Sequence, residues 1–137
     1  MHFFLPMMNP PTATHQMKKV RVVKGKPQFY EPTEVVQARD KLRAALAPHR
    51  PETPLLGPVR LLTKWCFPST LNHQNGAYRA IRPDTDNLQK LIKDVMTDLG
   101  YWKDDAQVAS ETVEKFWADL SGIYIEVEQL RSTQHDA

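Results

Sequence analysis

A single cysteine, Cys66, excludes an internal disulfide, and its apolar neighbours suit a small buried hydrophobe in a reducing compartment. No apolar run is long enough to span a membrane. Phe3-Phe4-Leu5, the most apolar N-terminal stretch, is stopped by Pro6 and has no basic segment before it, so no secretory signal is expected. Only five glycines occur, and none builds a phosphate loop of the Walker or Rossmann type, so no organic cofactor is expected. The five histidines, His2, His15, His49, His73 and His135, are scattered without ligand spacing, which argues against zinc. Large net charge is missing as well.

At 137 residues the chain is long enough to bury one core without staples. Its net charge of +2 hides a division. Residues 1–50 carry nine Lys/Arg against three Asp/Glu, a balance of +6, and residues 51–137 carry nine against thirteen, a balance of −4. A basic part beside an acidic part suits a protein that holds phosphates on one surface and a cation on another.

The pattern of elements predicts an α+β domain over 1–131, followed by a frayed tail at 132–137. His2–Met7 reads as a short strand. Lys19–Val23 and Pro27–Tyr30 flank Lys24-Gly25-Lys26 as a hairpin with a three-residue turn. Pro32-Thr33 opens a helix to about Ala47, with Val35, Ala38, Leu42, Ala45 and Leu46 on its apolar side. Val59–Phe67 is a central strand, and residues 68–83 form a long loop expected to be mobile. A second helix is expected from about Asn87 to Leu99, closed by Gly100. Strands near Gln107–Trp117 and Ile123–Leu130 complete one mixed or antiparallel sheet, with both helices packed on it.

The chemistry concentrates in Asp84-Thr85-Asp86-Asn87-Leu88-Gln89-Lys90 and in Lys103-Asp104-Asp105. Clustered carboxylates suit Mg²⁺, whose shell is usually completed by substrate phosphate oxygens. In an extended segment Asp84 and Asp86 project the same way and can share one ion. Asp86 has a competing role as helix N-cap, with Gln89 completing a capping box. Lys90 lies about 200° from Leu88, away from the apolar stripe. It either pairs with Asp94 or meets a phosphate, and its position alone does not decide. Asp104 and Asp105 face opposite ways at a strand start, so one of them is expected to join the site. Asp94 and Asp98 read as partners of lysines. Trp65, Trp102, Phe116 and Trp117 read as core, and Tyr78 as a candidate to meet a base. These residues point to a Mg²⁺-dependent phosphodiesterase site for nucleic acid.

The string Arg82-Pro83-Asp84-Thr85-Asp86-Asn87-Leu88-Gln89-Lys90, then Asp94, then Gly100-Tyr101-Trp102-Lys103-Asp104-Asp105-Ala106-Gln107-Val108, with Lys115 on the next strand, resembles the RusA family of Holliday junction resolvases. The resemblance implies a RusA-like fold and a homodimer that cuts four-way junction DNA by paired symmetrical nicks with Mg²⁺ or Mn²⁺. It places the catalytic and metal-binding aspartates at Asp84, Asp86 and Asp105, and the essential lysine at Lys90. It also implies work in recombination and repair, a cytoplasmic protein associated with the nucleoid on DNA, and a type often carried by phages and prophages. Lys18, Lys19, Arg21, Arg79, Arg82 and Lys115 are the candidate backbone contacts. Asn9–His15 resembles the family's N-terminal segment only loosely, and residues 72–79 have no clear counterpart. The rival readings are a non-catalytic DNA-binding or assembly protein and a less selective metal nuclease acting on flaps or single strands.

Overall fold

Val59, Leu61, Thr63, Trp65 and Phe67 are buried and alternate with more exposed neighbours, and this two-residue rhythm builds the central strand, β4 (Val59–Pro68). In the computed structural model, which describes residues 1–12 and 19–131, β4 has partners on both sides. β5 (Val108–Ala118) pairs with it in parallel, and β6 (Gly122–Gln129) pairs antiparallel on the other side. β1 (His2–Pro6) closes the order β1-β6-β4-β5, antiparallel to β6. A parallel pair needs a crossover. Here the crossover is the segment 69–84 and helix α2 (Thr85–Asp98), so β4, α2 and β5 form a βαβ unit.

Helix α1 (Thr33–Leu46) buries Val35, Ala38, Leu42 and Leu46, then tightens into a 3₁₀ turn at Ala47–His49 that contains Pro48. α2 buries Leu88, Gln89, Leu91, Ile92, Val95 and Met96. Both helices pack in one cluster with Trp65, Phe67, Ile123 and Ile125, so they share one face of the sheet, as expected. In β6, Ile123, Ile125 and Val127 are buried while Glu126 and Glu128 are exposed, the alternation seen in the sequence.

The end of α2 is fixed by Gly100. At φ +86° it lets its own N–H reach Thr97 O and the Tyr101 N–H reach Met96 O, both at 3.0 Å. Tyr101 and Trp102 then turn inward. The Tyr101 hydroxyl donates to Leu46 O at 2.6 Å and ties the ends of the two helices together. Burial pushes that hydroxyl's pKa far up, so it remains a neutral donor.

Two local expectations need correction. The hairpin of β2 (Lys19–Val23) and β3 (Lys26–Tyr30) turns through two residues rather than three. Lys24 and Gly25 both take positive φ, the mirror-image turn whose twist matches a two-stranded ribbon. Second, the loop after β4 is laced to the free edge of β5. Gly76 N donates to Trp117 O, Trp117 N to Ala77 O and Arg79 N to Lys115 O, at 2.8, 2.8 and 3.0 Å. Cys66 is half-buried, and burial raises its thiol pKa against the lowering effect of Lys64. The tail expected to fray lies outside the described residues.

Gly122, at the start of β6, faces Leu5 of β1. A Cβ built there lies 2.3 Å from Leu5 O and 2.6 Å from the Phe4 ring. Gly122→Ala is expected to destabilise the protein by about 1–3 kcal/mol through overpacking. Urea unfolding measures this, and an unchanged midpoint would mean that the seam between β1 and β6 yields freely.

Candidate nuclease site

The site grows from a buried polar chain beneath α2. Thr63 of β4 and Gln89 of α2 are the buried polar side chains among otherwise apolar ones. The Thr63 hydroxyl donates to Gln89 Oε1 at 2.9 Å and accepts from Trp65 Nε1 at 3.1 Å. Gln89 Nε2 donates to Glu111 on β5 at 3.2 Å, and Glu111 pairs with Lys93 at 3.2 Å. Leaving the buried Thr63 or Gln89 groups unpaired is costly, so the link reinforces the rotation of α2 that its apolar face sets. That rotation turns Asp86 and Lys90 to solvent.

The helix starts two residues earlier than expected. Asp84, not Asp86, occupies the N-cap position, and its side chain makes no capping hydrogen bond. Asp86 lies within the first turn, and Gln89 is engaged with Thr63, so the capping box expected there is absent. The two carboxylates therefore share a helix end instead of an extended strand face. Both are exposed. The unpaired N–H groups of a helix start carry partial positive charge, which favours anions and phosphate there.

Lys90 is exposed, with Nζ 3.8 Å from Asp94, the i,i+4 pair anticipated as one of its two roles. Asp94 also lines a polar groove of about 570 Å³ with Arg39, Arg43, Asp98, Lys103 and Asp105. Asp98 pairs with Arg43 at 3.1 Å, an arginine from α1 rather than a lysine. Asp104 caps the 3₁₀ turn Asp105–Gln107: it accepts from Ala106 N at 2.8 Å, and Gln107 Oε1 accepts from its backbone N–H at 3.2 Å. Both of the adjacent pair are exposed and line that groove, and Asp104 is the one engaged as a cap.

Asp105 does not meet Asp84 and Asp86 within one chain. It lies with Asp94 and Asp98 towards the far end of α2. Fourteen helical residues at about 1.5 Å each put the two ends roughly 20 Å apart. Among the described residues no group of three or more acidic, histidine or cysteine side chains is placed to hold a metal ion. The expected three-aspartate centre is therefore not formed by one protomer. The pair Asp84 and Asp86 by itself fits Mg²⁺, which is commonly held by one or two carboxylates together with phosphate and water.

Several expected DNA contacts have partners inside the protein. The Arg79 guanidinium stacks 4.1 Å from the Phe67 ring centre and 4.6 Å from that of Trp117, and donates to Arg82 O at 2.7 and 3.3 Å. Burial lowers its pKa. Lys115 Nζ donates to Ile81 O and to Pro83 O, each at 2.7 Å. Its pKa is lowered by burial and by Arg79, with Asp84 acting in the opposite sense. Arg82 is exposed, and Arg21 lies 5.1 Å from the Tyr30 ring centre on the hairpin. The Lys19 backbone pairs with Tyr30, and Lys18 lies outside the described residues. Trp65, Trp102 and Trp117 are buried as expected. Tyr78 is exposed, its ring stacked 4.8 Å from Phe116 and its hydroxyl on Glu114 at 3.0 Å.

Sequence reasoning missed the Thr63–Gln89 link. Its signal was available: a polar residue in the apolar stripe of α2 and another in the apolar alternation of β4.

With this geometry in hand, the comparisons are specific. Residues 9–128 match the family described as Endodeoxyribonuclease RusA. A protein named crossover junction endodeoxyribonuclease rusA, from Lactococcus phage r1t, is 29% identical over 119 residues, covering 85% of this chain and 89% of its own. YqaN, an uncharacterized protein of Bacillus subtilis (strain 168), is 26% identical over 117 residues, covering 77% and 82%.

Gln89→Ala is expected to cost about 1–3 kcal/mol, because it strands the buried Thr63 hydroxyl. Denaturant unfolding reads that loss. A cost near zero would mean that the polar chain does not fix α2.

Proposed function

The chain belongs to the RusA endodeoxyribonuclease family, and on that premise we propose that it resolves four-way DNA junctions, as a homodimer, by paired symmetrical nicks. The observation that carries this reading is the exposed pair Asp84 and Asp86 at the start of α2, with Lys90 one turn further on. Two acids and an amine at a phosphate-favouring helix end suit phosphodiester hydrolysis better than a silent binding role.

Asp84 and Asp86 are the residues that hold Mg²⁺ or Mn²⁺, which when bound polarises a phosphate and makes a water more acidic. Lys90 releases its exposed pair with Asp94, worth about 0.3–0.5 kcal/mol, and meets the charge that builds on the scissile phosphate. In-line attack by water forms one P–O bond as the bond to the 3′ oxygen breaks, leaving a 5′-phosphate and a 3′-hydroxyl. Arg82, Arg21, Lys18 and Lys19 remain candidates to hold the duplex arms by their backbones. Recombination and repair, with the protein on the nucleoid, are the processes this activity serves.

Asp105 completes the site from the other subunit. The roughly 20 Å between the ends of α2 forbids a shared ion within one chain, whereas two copies packed with opposed α2 helices bring one helix start to the other's Asp105. A two-fold axis makes two such sites, one for each strand to be cut.

Asp84→Asn is expected to retain junction binding and to lose nicking on a denaturing gel, with linear duplex and flap substrates as controls. Co-expressed Asp84→Asn and Asp105→Asn chains discriminate the arrangements. If Asp105 acts across subunits, the mixed dimer holds one intact site and makes single nicks. A mixed dimer as inactive as either parent places all three aspartates on one chain and overturns the shared site.

A further inference from the structure

The carbonyls of Ile81, Arg82 and Pro83, the three residues immediately before Asp84, are all gripped by two cations. Lys115 takes the first and the third, and Arg79 takes the middle one with two N–H groups. Among the described residues, Ala80 to Pro83 make no backbone–backbone hydrogen bond. The side-chain grip, with the buried Pro83, therefore holds this segment against the sheet. Its anchors are rigid: Lys115 lies within β5, and Arg79 is wedged between Phe67 of β4 and Trp117 of β5. Arg79 is further joined to Lys115 by its own backbone N–H at 3.0 Å.

We infer that Arg79 and Lys115 are positioning residues: they clasp the backbone that leads into Asp84 and so set the metal affinity of the Asp84/Asp86 pair, instead of contacting DNA. This rests on the nuclease reading above. The clasp has two effects. It fixes the three peptides whose freedom otherwise has to be lost when the metal binds. It also sets positive charge near the carboxylates, which eases their repulsion before the metal arrives and by itself opposes the cation, so the ordering is what the clasp contributes to affinity. Partners that orient ligating carboxylates typically change metal affinity or activity by about 10–100-fold when removed.

Lys115→Met keeps the stem and removes the donors. It is expected to raise the Mg²⁺ concentration for half-maximal nicking by about 10–100-fold, while junction affinity in EDTA and its salt dependence stay at wild-type values. Hydrogen exchange of the metal-free protein reports the clasp directly: the amides of Arg79 and Leu88, bonded to Lys115 O and Asp84 O on either side of the segment, should exchange faster. Lys115→Arg should restore part of the metal affinity. Arg79→Lys keeps the charge but loses the fork and the stacking, and should repeat the pattern more weakly should Lys115→Met fold poorly. The inference is overturned if Lys115→Met weakens junction binding, lowers the salt slope by about one and leaves the metal requirement alone, since that marks a phosphate contact. Unchanged exchange at Arg79 and Leu88 overturns it equally. A wild-type protein that cleaves no junction sinks the nuclease reading instead, and the exchange measurement still decides the clasp.

Discussion

One buried hydrogen bond, from the Thr63 hydroxyl to the Gln89 amide, governs how everything else at the site is presented. Apolar packing of Leu88, Leu91, Ile92 and Val95 sets which face of α2 meets the sheet but gives little preference among closely neighbouring rotations, because aliphatic contacts are non-directional. A donor and acceptor that must find each other in the core supply that preference. Once Gln89 points at β4 and β5, the periodicity of the helix commits Asp86 and Lys90 to the outside. The apolar stripe thus exposes the reactive groups, and one polar pair within the seam fixes their bearing.

The cationic residues near the site divide by what backs them. Arg79 and Lys115 lie against aromatic rings and backbone carbonyls and serve the protein's own chain. Arg82, Lys90 and Arg21 are exposed, Lys90 beside Asp94 and Arg21 over the Tyr30 ring. Counting basic residues before the motif treats both kinds alike, although only the second adds to an electrostatic footprint for DNA. The loop between β4 and α2 follows the same logic. Its middle part extends the sheet along β5, and its last residues are held by side chains, so a long polar segment delivers Asp84 to a defined place.

The distribution of acids along α2 is the reason the proposed site calls on the proposed second subunit. Asp84 and Asp86 stand at one end, and Asp94, Asp98 and Asp105 gather at the other. A rigid helix cannot fold back to unite them, so the proposed three-aspartate centre is bound to the proposed dimer. The same length that separates the acids within a chain sets the offset between two opposed helices.

Much of this was legible in the order of residues. The two helices, the central strand, the alternation of β6 and the Gly100 stop follow from periodicity and from the conformational freedom of glycine, which are local properties. The Asp84–Lys90 and Asp104–Asp105 segments could be singled out because their side chains lack an apolar purpose. Other features could not be resolved from sequence, because they depend on neighbours distant along the chain. Gln89 reads as half of a capping box with Asp86 but is engaged by Thr63, twenty-six residues away. Whether Lys115 and Arg79 face outward was settled by carbonyls and rings that folding brings to them. Local sequence fixes what a residue offers, whereas burial and partners gathered across the sheet decide where that offer is directed.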